Sequence, residues 1–310
     1  MKKIGFVVPW FGWDIPGGAE AELRELVLHL RETSINLEIL TTCAKAFNSD
    51  WSQNYYKQGV YIENNITIKR FAVDKRNGEV FDKINAKLMK GMVISKAEQD
   101  IFIKEMINSS NLYDYMKEYD EEYSLFVFIP YMFGTTYYGV QINPSKSVLI
   151  PCFHDESYFY MDIFRDAYSK VAGIIYNAKP EKELVEKNYN VNGISQIVMG
   201  IGMDTNISGN AQRFRDKYKI NSPFILYAGR KDFGKNVDTL VRYFGEYLKR
   251  NKMELQLVLI GGGNIKIPFN IKDQVRDLGY VNTQDKYDAY AAAEFLCQPS
   301  KHESFSLVIM

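Results

Sequence analysis

The amino-acid sequence predicts an α/β protein made of two Rossmann-like domains, each a doubly wound parallel sheet with helices on both faces. Short apolar runs alternate with longer amphipathic stretches along the first 200 residues, and the same alternation starts again near residue 223. This order of elements is typical of parallel strands that are connected by helices. A length of 310 residues is long for one domain and suits two.

The first predicted domain covers residues 1–205 and opens with a strand and a helix. Ile4–Pro9 is a short apolar run, and Ala19–Arg31 places its apolar residues on one helical face. Further strands are predicted at Leu37–Thr42, Ile66–Phe71, Leu125–Ile129, Ser147–Ile150, Gly173–Tyr176 and Gln196–Val198. Further helices are predicted at Val93–Ile107, Leu112–Tyr119 and Pro180–Lys187.

The second predicted domain covers residues 206–310 and repeats the pattern. The predicted strands are Phe224–Tyr227, Leu255–Ile260 and Glu294–Gln298, and the predicted helices are Val237–Lys249 and Tyr287–Ala293. The segment Gly200–Arg215 is rich in Gly, Asn and Asp, which indicates a linker. Because ligands of such sheets bind beyond the carboxyl ends of the strands, we expect a binding cleft there, facing the other domain.

The composition excludes several classes of function. Thirty-eight basic residues balance 38 acidic ones, so the formal net charge is zero and nucleic-acid binding is not expected. The three cysteines are far apart and show no zinc or disulfide spacing, which favours a reducing cytoplasm. No apolar stretch is long enough to span a bilayer.

Two glycines follow the first strand and open the first helix. Gly17 and Gly18 would let the backbone approach a ligand, and the free N–H groups of the helix start suit a phosphate. A glycine-rich helix start without any ligand is the alternative. The segment is neither a G-x-G-x-x-G fingerprint nor a P-loop, which disfavours dinucleotide oxidoreductases and P-loop ATPases.

Two cations follow the strand Phe224–Tyr227. Arg230 offers a planar fork of donors and Lys235 a point charge, so together they could hold a diphosphate, although both could also be solvated surface cations. Gly262 lies in the triple glycine Gly261–Gly263 after the next strand, where the backbone could contact a base or ribose, or simply turn.

Two more strand exits carry candidate side chains. Glu303 precedes a predicted helix start, where its carboxylate could accept sugar hydroxyls and the following N–H groups could hold phosphate; plain helix capping is the alternative. His154, in the run His154–Glu156, follows a strand and is favoured as a site residue, whereas this one cluster is a poor metal site.

Taken together, these residues resemble glycosyltransferase family 4, whose members have the GT-B fold. The resemblance rests on Gly17–Glu20, on Gly229-Arg230 with Lys235, on Leu278–Val281, and on Pro299-Ser300 with Glu303–Leu307, which matches the start of the family's E-x7-E motif. The segments Thr41–Lys45 and Pro151–Glu156 resemble a bacterial surface-polysaccharide subgroup. Counted from Glu303, the motif's second glutamate falls at position 311, so we expect the second domain to be truncated.

The resemblance implies a retaining transfer of a sugar from a nucleotide-diphosphate-sugar to a glycan or lipid-linked acceptor. No metal, cofactor or protein nucleophile is expected, and the location is the cytoplasm, with peripheral association at the inner face of the membrane. The first domain would bind the acceptor and the second the donor. The implied catalytic residues are His154 at the sugar pocket and Glu303 on sugar hydroxyls. The implied donor-binding residues are Gly17, Gly18, Arg230, Lys235, Gly262, Val281, Ser304, Phe305, Ser306 and Leu307.

Two other functions remain open at this stage. A non-catalytic GT-B module or fragment could hold a nucleotide sugar without turning it over. A sugar-nucleotide 2-epimerase shares the fold, but the sequence shows no paired carboxylate and histidine set beyond His154–Glu156.

Overall fold

The structure is a computed structural model that describes residues 2–203, 205–232, 234–251, 253–301, 303 and 305–310. The chain divides into two compact units, Met1–Gly202 and Met203–Met310, while the sequence analysis places the boundary at residue 205. Each unit has its own sheet and its own apolar cores. The predicted α/β class with two doubly wound sheets is therefore confirmed.

The first unit contains an eight-stranded sheet. Its strands are β1 (Lys3–Val8), β2 (Leu37–Thr42), β3 (Gly59–Glu63), β4 (Ile66–Phe71), β5 (Tyr123–Phe128), β6 (Ser147–Leu149), β7 (Gly173–Tyr176) and β8 (Ser195–Val198). The order is β3-β4-β2-β1-β5-β6-β7-β8, and every neighbouring pair is parallel except the antiparallel pair β3–β4. The order reverses between β1 and β5, which is the switch point where such sheets bind ligands.

Helices cover both faces of this sheet. They are α1 (Gly18–Leu30), α2 (Gly78–Met89), α3 (Lys96–Lys104), α4 (Ser110–Glu118), α5 (Gly134–Gly139), α6 (Asp162–Tyr168) and α7 (Lys179–Asn188). Successive residues of β1 point to opposite faces, so Val7 packs into one core cluster while Phe6 and Val8 pack into the other. Burial on both faces explains why most of β1 is an apolar run.

The second unit is smaller and has the same design. It contains β9 (Phe224–Ala228), β10 (Gln256–Ile260), β11 (Val275–Gly279) and β12 (Phe295–Leu296), with helices α8 (Ala211–Tyr218), α9 (Val237–Arg250) and α10 (Thr283–Ala292). The sheet is parallel in the order β11-β10-β9-β12, so its switch point lies between β9 and β12.

Several sequence predictions about local structure are corrected. The predicted linker Gly200–Arg215 ends early, because α8 begins at Ala211 and buries Phe214. The predicted strand Glu294–Gln298 pairs over only two residues of β12. Residues 307–309 form a turn where the start of a helix was expected after Glu303, and the predicted helix over Val93–Ile107 begins only at Lys96.

Candidate functional site

All four strands of the second unit end at the same edge of its sheet, because all are parallel. Arg230 and Lys235 lie in the exit of β9, Gly262 in the exit of β10 and Val281 in the exit of β11. Glu303, Phe305, Ser306 and Leu307 lie in the exit of β12. The predicted donor-binding residues of this unit therefore share one edge. Ser304 falls outside the described residues, as does the neighbouring His302.

The structure brings Lys235 and Glu303 together across the switch point. The Nζ atom of Lys235 lies 2.7 Å from Oε1 of Glu303, and both side chains are about three-quarters buried. Arg230 lies in the same exit and places its Nε 3.5 Å from Oδ2 of Asp232. The Oδ1 atom of Asp232 accepts the backbone N–H of Lys235 at 3.0 Å and so fixes the turn between the two cations.

A buried lysine, Lys231, joins the exits of β9 and β10 to the strand β11, and sequence analysis did not single it out. Its side chain is only 1% exposed, and its Nζ donates to the carbonyl oxygen of Gly261 and lies 2.9 Å from Oδ1 of Asp277. Its backbone N–H also donates to the carbonyl oxygen of Gly262 at 2.7 Å. The exits of β9 and β10 are thereby held against the strand β11.

The triple glycine packs against backbone and has little room for side chains. A Cβ on Gly261 would lie 2.1 Å from the carbonyl oxygen of Gly229, and its φ of +115° is itself unfavourable for other residues. A Cβ on Gly262 would lie 2.2 Å from the hydroxyl of Tyr280, a side chain that is mostly exposed. The glycines are thus required by packing. Gly262 itself is buried, and its carbonyl oxygen already accepts the N–H of Lys231.

The remaining predicted residues of the second unit contribute different surfaces. The side chain of Val281 packs against the apolar core beside α10, so only its backbone is available for a donor. Ser306 adopts a φ of +62°, and its buried Oγ has no hydrogen-bond partner within the described part of the chain. Phe305 and Leu307 are half-buried beside it. The unpartnered Oγ of Ser306 is a polar group that a ligand could satisfy.

In the first unit, the helix start at Gly17 and Gly18 lies beside its switch point. Gly17 has a φ of +150°, and the space around the Cβ position of Gly18 is open. The carboxylate of Glu20 folds back over Gly17 and accepts the indole N–H of Trp10 at 2.6 Å. A negative group therefore already lies at this helix end, where the sequence analysis placed a phosphate.

His154 lies in the exit of β6 and contacts Glu156. Its Nε2 is 3.4 Å from Oε1 of Glu156, which also accepts the hydroxyl of Tyr131 at 2.8 Å. The Nδ1 atom is buried and has no partner among the described residues. The backbone before His154 is held by Glu181, whose carboxylate accepts the N–H of Phe153 at 2.6 Å.

Two buried carboxyl groups stand behind this loop. Burial raises the pKa of Glu22 and that of Glu181 to about 7. Glu22 Oε2 accepts from Nδ2 of Asn177 at 2.9 Å, while its Oε1 and the Oδ1 of Asn177 have no partner among the described residues. Sequence analysis missed both carboxyl groups, because a glutamate on an amphipathic helix usually faces solvent.

Within the described residues, no three His, Cys, Asp or Glu side chains are grouped so that they could hold a metal ion. The described helices include none with the length and apolarity that crossing a membrane requires.

One family model matches the second unit. Residues 210–310, about a third of the chain, match the family model described as "Glycosyl transferases group 1". No curated protein is significantly similar in sequence.

Solved structures share the fold of the whole chain. A sucrose-phosphate synthase from Thermosynechococcus elongatus aligns with 15% identity and a TM-score of 0.70, over 99% of this chain and 78% of that one. HepE from Anabaena, solved with UDP and glucose, aligns with 14% identity and a TM-score of 0.63, over 100% and 77%. WaaG, a glycosyltransferase involved in lipopolysaccharide biosynthesis, aligns with 12% identity and a TM-score of 0.58, over 96% and 75%. These likenesses show that the chain has the GT-B fold.

Proposed function

We propose that this chain is a retaining glycosyltransferase that moves a sugar from a nucleotide-diphosphate-sugar to a glycan or lipid-linked acceptor, in the synthesis of a cell-surface polysaccharide. The observation that carries the proposal is the contact of Lys235 with Glu303 at the switch point of the second sheet, with Arg230 in the same strand exit as Lys235. The match of this unit to group 1 glycosyltransferases and the UDP bound by a structural neighbour support it.

In the proposed sugar transfer, the second unit must stabilise the leaving diphosphate. Negative charge develops on the diphosphate as the bond to the sugar breaks, and fixed cations lower the energy of that state. Arg230 would contribute a fork of N–H donors and Lys235 a point charge. The backbone of Gly262 and Val281 would contact the base, and the N–H groups from Ser304 to Leu307 the phosphates, as the resemblance implies.

The ion pair between Lys235 and Glu303 has a consequence for donor binding. Without a donor, the two side chains neutralise each other at 2.7 Å, and both remain partly exposed, so their attraction is worth about 1 kcal/mol or less. A diphosphate carries more charge than one carboxylate and can compete for Lys235. Glu303 is then released to accept hydroxyls of the donor sugar.

The first unit would supply the acceptor side. We assign His154 to the sugar pocket, as the resemblance implies; its Nδ1 is buried and would have to become exposed before a hydroxyl could bind to it. Gly17 and Gly18 stay proposed donor contacts, and the carboxylate of Glu20 would have to move away from Gly17 before a phosphate could bind there. The proposed location is the cytoplasm, at the inner face of a membrane. The proposed reaction needs neither a metal nor a cofactor.

Calorimetric titration with UDP, GDP, ADP and TDP tests the donor site first. We expect one nucleoside diphosphate to bind, and Arg230→Ala and Lys235→Ala each to weaken binding by about tenfold or more, because each removes a charge-assisted contact. Lys249→Ala is the matched control, since it removes one cation from the last turn of α9, at the opposite edge of the sheet. Equal effects of all three variants would contradict the proposed clamp.

Sugar transfer tests the reaction itself. Release of the nucleoside diphosphate from its sugar donor, with a glycan or lipid-linked acceptor present, should fall about 100-fold in kcat/KM in Arg230→Ala. Glu303→Gln should leave the affinity for the nucleoside diphosphate unchanged or higher, and should lower turnover of the sugar donor. Binding without any transfer would favour a nucleotide-sugar-binding module, and an isomerised donor without acceptor would favour an epimerase.

A further inference from the structure

The turn between α2 and α3 exposes three large apolar side chains at one place. Val93 is 97% exposed, Met89 55% and Met92 50%. Residues 89–93, which we call the apolar tip, are all exposed, whereas the flanking Leu88 and Ile94 are buried in the core of the first unit. Exposed apolar groups that cluster in this way mark surfaces that bind a partner.

The backbone of the apolar tip is fixed on both sides. At the end of α2, Gly91 adopts a φ of +75° and donates to the carbonyl oxygen of Leu88, while the N–H of Met92 donates to that of Lys87 at 3.1 Å. At the start of α3, Ser95 and Glu98 form a reciprocal capping box. The apolar side chains are therefore held outward by an ordered turn.

Lysines surround the apolar tip. The segment from residue 83 to residue 98 contains Lys83, Lys87, Lys90 and Lys96 and one acidic residue, Glu98, which pairs with Lys87. All four lysines are exposed. The nearest exposed acidic residues, Asp82 and Asp100, lie beyond the lysines that flank the apolar tip in sequence. An apolar protrusion flanked by lysines has the composition of surfaces that insert into the headgroup region of anionic bilayers. A protein partner of mixed charge would not require this one-sided charge.

The apolar tip is joined to the loop that carries His154. The hydroxyl of Ser157 donates to the carbonyl oxygen of Leu88, and that of Tyr158 donates to Oδ1 of Asn85 at 2.6 Å. Both contacts connect the segment just after His154 to the last two turns of α2. A membrane held at the apolar tip would therefore lie close to the proposed acceptor residues.

We propose that residues 89–93, with Lys83, Lys90 and Lys96, dock this protein on an anionic lipid bilayer. Val93 and Met92 enter the headgroup region, and the lysines contact lipid phosphates. The inference deepens the proposed function, since it names the surface for the membrane association included there, and it rests on that association alone. Lipid binding needs neither donor nor acceptor, so its failure and a failure of sugar transfer are distinguishable.

Co-sedimentation of the whole chain with lipid vesicles tests the proposal. We expect strong binding to vesicles of phosphatidylcholine with one part in three of phosphatidylglycerol, and weak binding to phosphatidylcholine alone. Val93→Ser should lower the partition coefficient about tenfold, because it removes a fully inserted apolar side chain. Lys90→Gln and Lys96→Gln should each lower it about fivefold, on the anionic vesicles only.

A matched control comes from the edge strand β3, where Val60 is 65% exposed and distant in sequence from the apolar tip. Val60→Ser removes a similar apolar group and should leave vesicle binding unchanged. Equal losses in Val60→Ser and Val93→Ser, or no difference between the two lipid compositions, would overturn the proposal. So would self-association of the chain in sedimentation velocity that Val93→Ser abolishes, because the apolar tip would then bind a second copy.

Discussion

Replacing Lys231 by methionine would show whether the buried lysine organises the strand exits of the second unit. Methionine has a similar length and no charge, so Lys231→Met keeps the volume of a side chain that is 1% exposed. It removes the contacts with the carbonyl oxygen of Gly261 and with Asp277, whose side chain is 28% exposed. Both acceptors lose a charged donor while they stay largely shielded from water.

The cost can be worked out from these two contacts. Hydrogen bonds that involve a charged group contribute about 1.5–3 kcal/mol each. Removing one partner of a fully buried ion pair costs about 3–5 kcal/mol. Because Asp277 retains some solvent access, we expect Lys231→Met to lower the free energy of unfolding of this unit by about 2–3 kcal/mol.

The assay must report on the second unit alone. All three tryptophans, Trp10, Trp13 and Trp51, lie in the first unit, so their fluorescence serves as an internal reference. Hydrogen exchange in peptides that cover residues 256–263 and 275–281 reports on β10 and β11. We expect Lys231→Met to raise exchange there and to weaken nucleoside diphosphate binding, since Arg230 and the triple glycine would no longer be held together.

The double variant Lys231→Met with Asp277→Leu tests whether the loss of stability comes from the unpaired carboxylate of Asp277. Replacing both partners of a buried pair by apolar residues is often close to neutral, so stability should return to within about 1 kcal/mol of the original. Full stability in the single variant, or no recovery in the double variant, would refute the role of this pair. Recovered stability with weak nucleotide binding would show that the lysine positions the site and does not merely stabilise the fold.

Two further predictions concern the glycines and the buried carboxyl groups. Gly261→Ala should lower the free energy of unfolding by about 3 kcal/mol, because its Cβ would meet the backbone of Gly229. Gly262→Ala should lower it by about 1 kcal/mol or less, because only the exposed ring of Tyr280 must move. Urea denaturation of both variants measures the two values. Burial raises the pKa of Glu22 to about 7, above its usual value in an unfolded chain, so the folded state holds the proton more tightly and stability should fall as pH rises from 4.5 through 7. Glu22→Gln should remove about 3 kcal/mol of this pH dependence, as an order of magnitude, in tryptophan-monitored unfolding, and an unchanged slope would refute the argument.

Most of the fold could be predicted from the sequence, because buried strands leave short apolar or alternating patterns rich in β-branched residues. β2, β4 and β7 have the predicted bounds. The missed elements had weaker signals. β3 is a short strand with exposed residues, although the turn at Asn64 and Asn65 that precedes β4, both at positive φ, was a visible hairpin signal.

The helix α2 was missed although its pattern was present. Phe81, Ile84 and Leu88 lie on one helical face, and Asn77 caps the first turn through its side chain. The segment is rich in lysine, and its apolar face is narrow. The helix leads directly into the apolar tip, and its lysines and Met89 belong to the proposed membrane-binding surface. The residues that weakened the helical pattern in the sequence are therefore the ones on which the further inference rests.

Candidate site residues could be predicted where they follow a strand, because ligands bind beyond strand ends. They could not be predicted where their role depends on a contact between residues far apart in sequence. Strand exits are visible in sequence, which is why Arg230, Lys235 and Glu303 were singled out. The contact between Lys231 and Asp277 joins residues 46 positions apart, and no local pattern marks it.

The burial of Lys231 also determines which cations of the second unit can bind a diphosphate. Lys231 follows Arg230 but adds no third cation for a diphosphate, because its Nζ contacts the carbonyl oxygen of Gly261 and the carboxylate of Asp277, which compensates its charge. The two predicted cations of the clamp are both paired, Arg230 with Asp232 and Lys235 with Glu303. Donor binding must exchange one ion pair for another, so affinity for nucleoside diphosphates should fall steeply with ionic strength while the stability of the second unit, which depends on the buried pair, should not.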